Sequence, residues 1–228
     1  MVSWSGALIK LGSGSLTLMR ANPFVGDTRI QAGVLVLASG GALLNSTFDT
    51  DGAGALQIGS GVSQLVLGGL KGSTAFSLAN AAGSPLSLTV GGNGLSASYG
   101  GILSGSSAVT KIGSGTWTLS GNNLLTGGVT LGGGMLVAAH VGALGSSGSL
   151  VFAGGTLGYS GITTDFSSRV AAVPAGVTAS VDTGGGDVTW STGVQGGGAF
   201  AKRGLGTLTL AAVASHTGGT SVVQGTLA

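Results

Sequence analysis

Six aspartates carry all the acidic chemistry this chain has, since it contains no glutamate and no cysteine. Asp49-Thr50-Asp51 is the one pair spaced for joint work. On a strand the two carboxylates would share a face, a geometry usable for calcium or for glycoside cleavage. Ser46-Thr47 before it and Gly52 after it equally describe a polar turn. Asp182 and Asp187 flank Gly184-Gly185-Gly186 and loosely resemble one calcium-binding glycine-rich nonapeptide, but such sites need tandem copies, and none follows, which favours a turn. His140 and His216 are the only histidines, too few and too far apart in sequence for the three or four ligands of a metal site. Serines are plentiful, yet no G-x-S-x-G elbow marks a nucleophile. The cysteine count removes disulfides, thiolate metal sites and cysteine nucleophiles. No catalytic, cofactor-binding or metal-ligating residue is therefore assigned: the chain reads as a non-enzyme without cofactors.

The elements that would hold these groups are glycine-punctuated strands, and their pattern repeats. Lys10-Leu11-Gly12-Ser13-Gly14-Ser15-Leu16-Thr17-Leu18 returns as Lys111-Ile112-Gly113-Ser114-Gly115-Thr116-Trp117-Thr118-Leu119 and as Lys202-Arg203-Gly204-Leu205-Gly206-Thr207-Leu208-Thr209-Leu210. A glycine follows each lysine at one fixed distance, at Gly33, Gly134 and Gly225. The copies start 101 residues (Lys10 to Lys111) and then 91 residues (Lys111 to Lys202) apart. Val181 to Lys202 lines up with Val90 to Lys111, which sets Trp190 opposite Tyr99, and Trp117 falls where Leu16 and Leu208 fall. Exchanges among large apolar groups mark core-facing positions. The lysines read as solvated or as capping a turn. The Gly-x-Gly pairs read as tight bends, because no helix follows them and no Gly-Lys dipeptide supplies a P-loop.

Ser15-Leu16-Thr17-Leu18 and Thr207-Leu208-Thr209-Leu210 alternate with a period of two, leucines to one face and hydroxyls to the other. Val34-Leu35-Val36-Leu37 and Leu65-Val66-Leu67 are continuous apolar runs, expected where strands are buried more deeply. With 49 glycines in 228 residues, helix interiors are disfavoured throughout. An antiparallel sandwich also yields many short strands, but an internal repeat favours a coil of parallel strands in which each turn stacks on the last. At roughly 20 residues and about 4.8 Å per turn, about eleven turns would make a rod on the order of 50 Å long. The outward threonines of Thr116-x-Thr118 and Thr207-x-Thr209 resemble the rows of ice-binding solenoids, though copies some five turns apart would not form one ladder.

Composition bounds the partners. Hydrophobic residues make up 43% of the chain, enough for a continuous core, while only 6% are charged and the net charge is +2. No basic cluster suits a phosphate backbone, so nucleic acid is not an expected partner. No apolar run is long enough to cross a bilayer as a helix. The start Met1-Val2-Ser3-Trp4-Ser5-Gly6 has no basic region followed by an apolar stretch and reads as no signal peptide.

The pattern K-x-G-x-G-[ST]-[LW]-T-L, then an Asn-containing turn, then G-[DG]-[TV], then G-x-L, resembles the autotransporter-associated β-strand repeat. The copies run over about 10–37, 111–137 and 202–227, and the intervening Leu88-Thr89-Val90-Gly91-Gly92-Asn93 is similar to inter-repeat sequence of such proteins. The resemblance implies an all-β, right-handed parallel β-helix (β-solenoid) in the passenger of a bacterial surface protein, extracellular or at the cell surface, with residues 1–228 one solenoid segment. It further implies a stalk or scaffold, exported and anchored by a C-terminal outer-membrane barrel that this sequence does not contain. The alternatives are a glycan- or host-surface-binding adhesin, with Tyr99, Tyr159 and Trp190 as exposed contacts or as core, and a polysaccharide-cleaving enzyme using Asp49 and Asp51. A solenoid ending within a repeat would expose strand edges, which invites end-to-end self-association.

Overall fold

A computed structural model describes residues 6–228, so the start of the chain, read above as no signal peptide, lies outside the described residues. Among the described residues, twenty-four short strands form a parallel β-solenoid of about 10 turns. An eight-stranded sheet runs in the order β1 (Leu8–Lys10), β3 (Thr28–Ile30), β5 (Leu43–Asp49), β7 (Gln64–Lys71), β9 (Ser87–Val90), β12 (Val109–Lys111), β15 (Val129–Leu131) and β17 (Leu150–Phe152). A seven-stranded sheet follows β10 (Ala97–Tyr99), β13 (Thr116–Leu119), β16 (Met135–Ala138), β18 (Thr156–Tyr159), β19 (Thr178–Asp182), β21 (Ala199–Arg203) and β23 (Thr220–Val222). Three shorter sheets complete the coil: β2 (Ser15–Leu18), β4 (Val34–Leu37) and β6 (Ala55–Ile58); β8 (Phe76–Ser77), β11 (Leu103–Gly105) and β14 (Leu124–Leu125); β20 (Val188–Trp190), β22 (Thr207–Leu210) and β24 (Thr226–Leu227). The ladders between these strands are all parallel. A 3₁₀ turn, Ser167–Arg169, interrupts them.

Turn length is not constant. The step from Leu16 to Leu35, which stacks on it, uses less chain than the step from Leu157 to its stacking partner Val181. The spacing of the sequence motif is therefore no whole number of turns, and its copies do not lie above one another. The column Trp117–Leu136–Leu157–Val181–Lys202 sets the first strand of the third copy in line with the second strand of the second copy. Lys111 instead lies in the column Leu67–Val90–Lys111–Leu131–Phe152. The long strands β5 and β7 make a comparable change near the other end. Their pairing shifts between Leu43 and Thr47, and Gly72 bridges to Tyr99, carrying the line into the seven-stranded sheet.

Inward residues fill the bore. Leu35, Leu37, Leu65, Leu88, Trp117, Leu136, Leu157, Trp190 and Leu208 are all buried, as the alternation predicts. The run Val34–Leu37 departs from the expectation of deeper burial on both faces. Its valines are only half-buried because they form the outer face of a single-layered coil.

Candidate functional site

Of the two readings of the repeated lysines, solvated or capping a turn, the structure shows the second: they are buried clamps. Lys10, Lys111 and Lys202 retain 7%, 1% and 0% of their surface. Each ammonium donates to three backbone carbonyls, two in the bend that follows it and one in the next turn. Lys10 Nζ reaches Leu11 O (2.8 Å), Gly12 O (2.7 Å) and Ala32 O (3.2 Å). Lys111 Nζ reaches Ile112 O (2.6 Å), Gly113 O (3.2 Å) and Gly133 O (3.3 Å). Lys202 Nζ reaches Arg203 O (2.7 Å), Gly204 O (2.8 Å) and Gln224 O (3.2 Å). Three N–H donors thus meet three carbonyl acceptors, two of the bend and one of the next turn. Burial pushes the Lys111 and Lys202 ammonium groups below the ordinary lysine value, and at Lys202 the nearby Asp182 and Asp187 carboxylates oppose that shift. The glycine that follows each lysine at a fixed distance completes the device. Gly33 has φ +71°, and a Cβ there would stand 2.5 Å or less from two carbonyl oxygens of the bend above and 2.8 Å from Lys10 Nζ.

Other sequence candidates resolve into similar ties. Tyr99, Tyr159 and Trp190 are core, not exposed contacts: the Tyr99 hydroxyl donates to Thr74 O (2.7 Å), and Trp190 Nε1 donates to the Tyr159 hydroxyl (2.9 Å). Burial raises both tyrosines above their ordinary range. Asp182 Oδ1 accepts from Gly184 N (2.8 Å) and holds its own bend, while Asp187 Oδ1 accepts from Thr207 N (2.7 Å) and ties its turn to the next. His140 Nδ1 accepts from Gly142 N (3.0 Å), while His216 Nε2 meets Thr220 Oγ1 (2.7 Å). Among the described residues, no three His, Asp or Glu side chains come together as metal ligands. The repeated threonines do not align, but Thr89, Thr110 and Thr130 do stack outward on successive turns between Val66 and Val151. Only the register of successive turns brings them together, so no spacing along the sequence marks them.

Asp49 and Asp51 lie beside a place where the coil opens. The strand ends at Asp49, so the two carboxylates do not share a strand face. Asp49 Oδ2 faces Arg29 Nη1 at 3.5 Å. Asp51 Oδ1 accepts from Ser73 N (2.6 Å) and Ser73 Oγ (2.8 Å), bonds that hold its carboxyl below the usual range. Arg29 Nη2 donates to Asp51 O (2.7 Å), and Lys71 of β7 pairs with Asp27, which immediately precedes β3.

Beyond Asp51 two successive turns part. β6 is the last strand of its sheet and β8 the first of the next, and no ladder joins the two. The opening is tied at both ends. The Asp51–Ser73 bonds close one. At the other, Ala81 N donates to Ile58 O (2.8 Å), and Asn80 Nδ2 donates to Ser60 O (2.9 Å) and Val62 O (3.0 Å). Between the ties lies a slot of about 310 Å³. Ala55 N and Gly59 N bond back to Gly33 O and Leu37 O, so by strand alternation the amides of Leu56 and Ile58 face the slot. Phe76 N and Leu78 N bond to Ile102 O and Ser104 O, so the N–H and C=O of Ser77 face it from the far rim. Phe48 and Phe76, ring centroids 6.2 Å apart, form the floor, and among the described residues no charged side chain lines the slot.

Residues 8–37, 109–138 and 200–228 match the passenger-associated-transport-repeat family. A curated relative, the autotransporter adhesin BmaC of Brucella suis biovar 1 (strain 1330), is 37% identical over 186 residues, which is 78% of this chain. The chain spans about 5% of that relative's length. No solved structure matches it.

Proposed function

The chain is of the autotransporter passenger type, built on three passenger-associated transport repeats, and on that premise we propose that it is a stiff spacer in a large surface protein, holding other segments away from the cell that displays it. The observation that supports this reading is the lysine clamp. Each copy of the motif binds its own bend to the next turn through a buried ammonium, a device that stiffens the coil and leaves nothing for a substrate. At about 4.8 Å per turn, about 10 turns supply some 50 Å of reach. The part of the surface protein outside this chain would carry membrane anchorage, through an outer-membrane barrel.

The test is replacement within the surface protein. Exchanging this chain for an unrelated β-solenoid of equal turn number is expected to preserve the surface protein's binding to cells, and deletion is expected to lower it. Loss of binding in the equal-length exchange would overturn the spacer reading and favour an adhesin, the activity named for the Brucella relative.

A further inference from the structure

We propose that the slot between β6 and β8 binds a single neutral, hydroxyl-bearing ring, the terminal residue of a glycan, and that the spacer thereby carries a weak lectin-like site. Four observations lead there. First, the rims present free backbone donors and acceptors together: the N–H groups of Leu56, Ile58 and Ser77 and the C=O groups of Leu56 and Ser77 face the gap, and among the described residues no strand pairs with β6 on that side. Unpaired backbone groups next to an apolar floor favour a ligand that both donates and accepts, as hydroxyls do. Second, the Phe48–Phe76 pair on the floor matches the apolar, carbon-bound hydrogens of a sugar ring's face. Third, among the described residues no charged side chain lines the slot, which disfavours sulfated or acidic sugars, phosphate and cations. Fourth, both ends are tied, by Asp51–Ser73 and by Ile58–Ala81, so an extended polymer cannot run along the gap as an added strand would. About 310 Å³ is at the small end for a ligand site and suits one ring at a chain end.

This inference concerns a site that the spacer reading does not use, and its test is separate from the exchange experiment. Ligand-observed NMR on the whole chain would be run with the methyl glycosides of glucose, galactose, mannose and N-acetylglucosamine. The competing probe is the uncharged peptide acetyl-Ser-Leu-Thr-Leu-amide, which copies β2. Saturable binding of at least one glycoside in the millimolar range is expected. Ser77→Trp, an exposed position on the rim, should weaken it at least tenfold, while Thr130→Trp on a distant outer face should leave it unchanged. No saturable glycoside signal, binding indifferent to Ser77→Trp, or preferential binding of the peptide would each overturn the proposal. A native strand-type circular dichroism spectrum for Ser77→Trp confirms that the rim, not the fold, was altered.

Discussion

The bend around Lys111 and the slot between β6 and β8 face the same physical problem and solve it differently. In both, adjacent turns leave backbone groups unpaired beside an apolar bore. At Lys111 the ammonium fills the gap, the indole of Trp117 reaches Leu70 O at 3.0 Å, and turns stack in register on both sides. At the slot no long polar side chain enters. Ties form only at the edges, through Asp51 and Asn80, and the middle stays open. The opening coincides with the change of pairing in β5 and β7, where the line of strands moves from one sheet to another. A solenoid whose repeat is not a whole number of turns must shift its faces somewhere, and this one does so where no motif copy lies. The motif regions are therefore the rigid part of the coil, and the junction between them is where the backbone remains available.

The largest break in that contrast is Trp117→Ala. It empties a core position and orphans Leu70 O, at a cost of about 3–5 kcal/mol. Because a solenoid unfolds in near-neighbour units, urea denaturation followed by hydrogen exchange should show the loss concentrated between β10 and β16. Uniform loss along the chain would contradict the local account. Next in size is Lys111→Met, which keeps the apolar stem but leaves Ile112, Gly113 and Gly133 carbonyls buried without a donor. A destabilisation of about 2–3 kcal/mol is expected, and an unchanged urea midpoint would mean that the clamp contributes nothing net.

The smallest effect is on pH. Asp51 is held below its ordinary value first by the Ser73 amide and then by the Ser73 hydroxyl, and Asp187 first by the Thr207 amide. A carboxylate lowered on folding stabilises the native state above its unfolded value, about 3.9, and the contribution disappears as pH falls through the lower folded value. Stability should thus be level above about pH 5 and decline below it. Asp51→Asn should make the acid limb shallower. A limb as steep in Asp51→Asn as in the parent would remove Asp51 from the account.

Much of this architecture was legible in the sequence. The threefold motif indicated parallel stacking, and the period-two alternation placed Leu16, Leu208 and Trp117 inward. The alignment of Val181 to Lys202 with Val90 to Lys111 paired Tyr99 with Trp190 as core. The role of the lysines was legible only as one of two readings, because a charged residue in a glycine bend looks solvated until the carbonyl on the next turn is seen. The slot could not be read at all. It arises from turn lengths that vary along the coil, as the Leu16–Leu35 and Leu157–Val181 steps do, and no local residue pattern encodes the relative register of β6 and β8. Asp49-Thr50-Asp51 drew attention to the right neighbourhood for a different reason: one carboxylate pairs with Arg29 and the other ties the edge of the opening.

The most direct test of the contrast is residue-resolved amide hydrogen exchange by NMR. The amides of Leu56, Ile58 and Ser77, which face the slot, are expected to exchange far faster than those of Val34, Ala38 and Ile112, which donate within the ladders. Equal protection in the two sets would mean that β6 and β8 are closed against one another in solution, and the division of this solenoid into clamped turns and an open junction would be wrong.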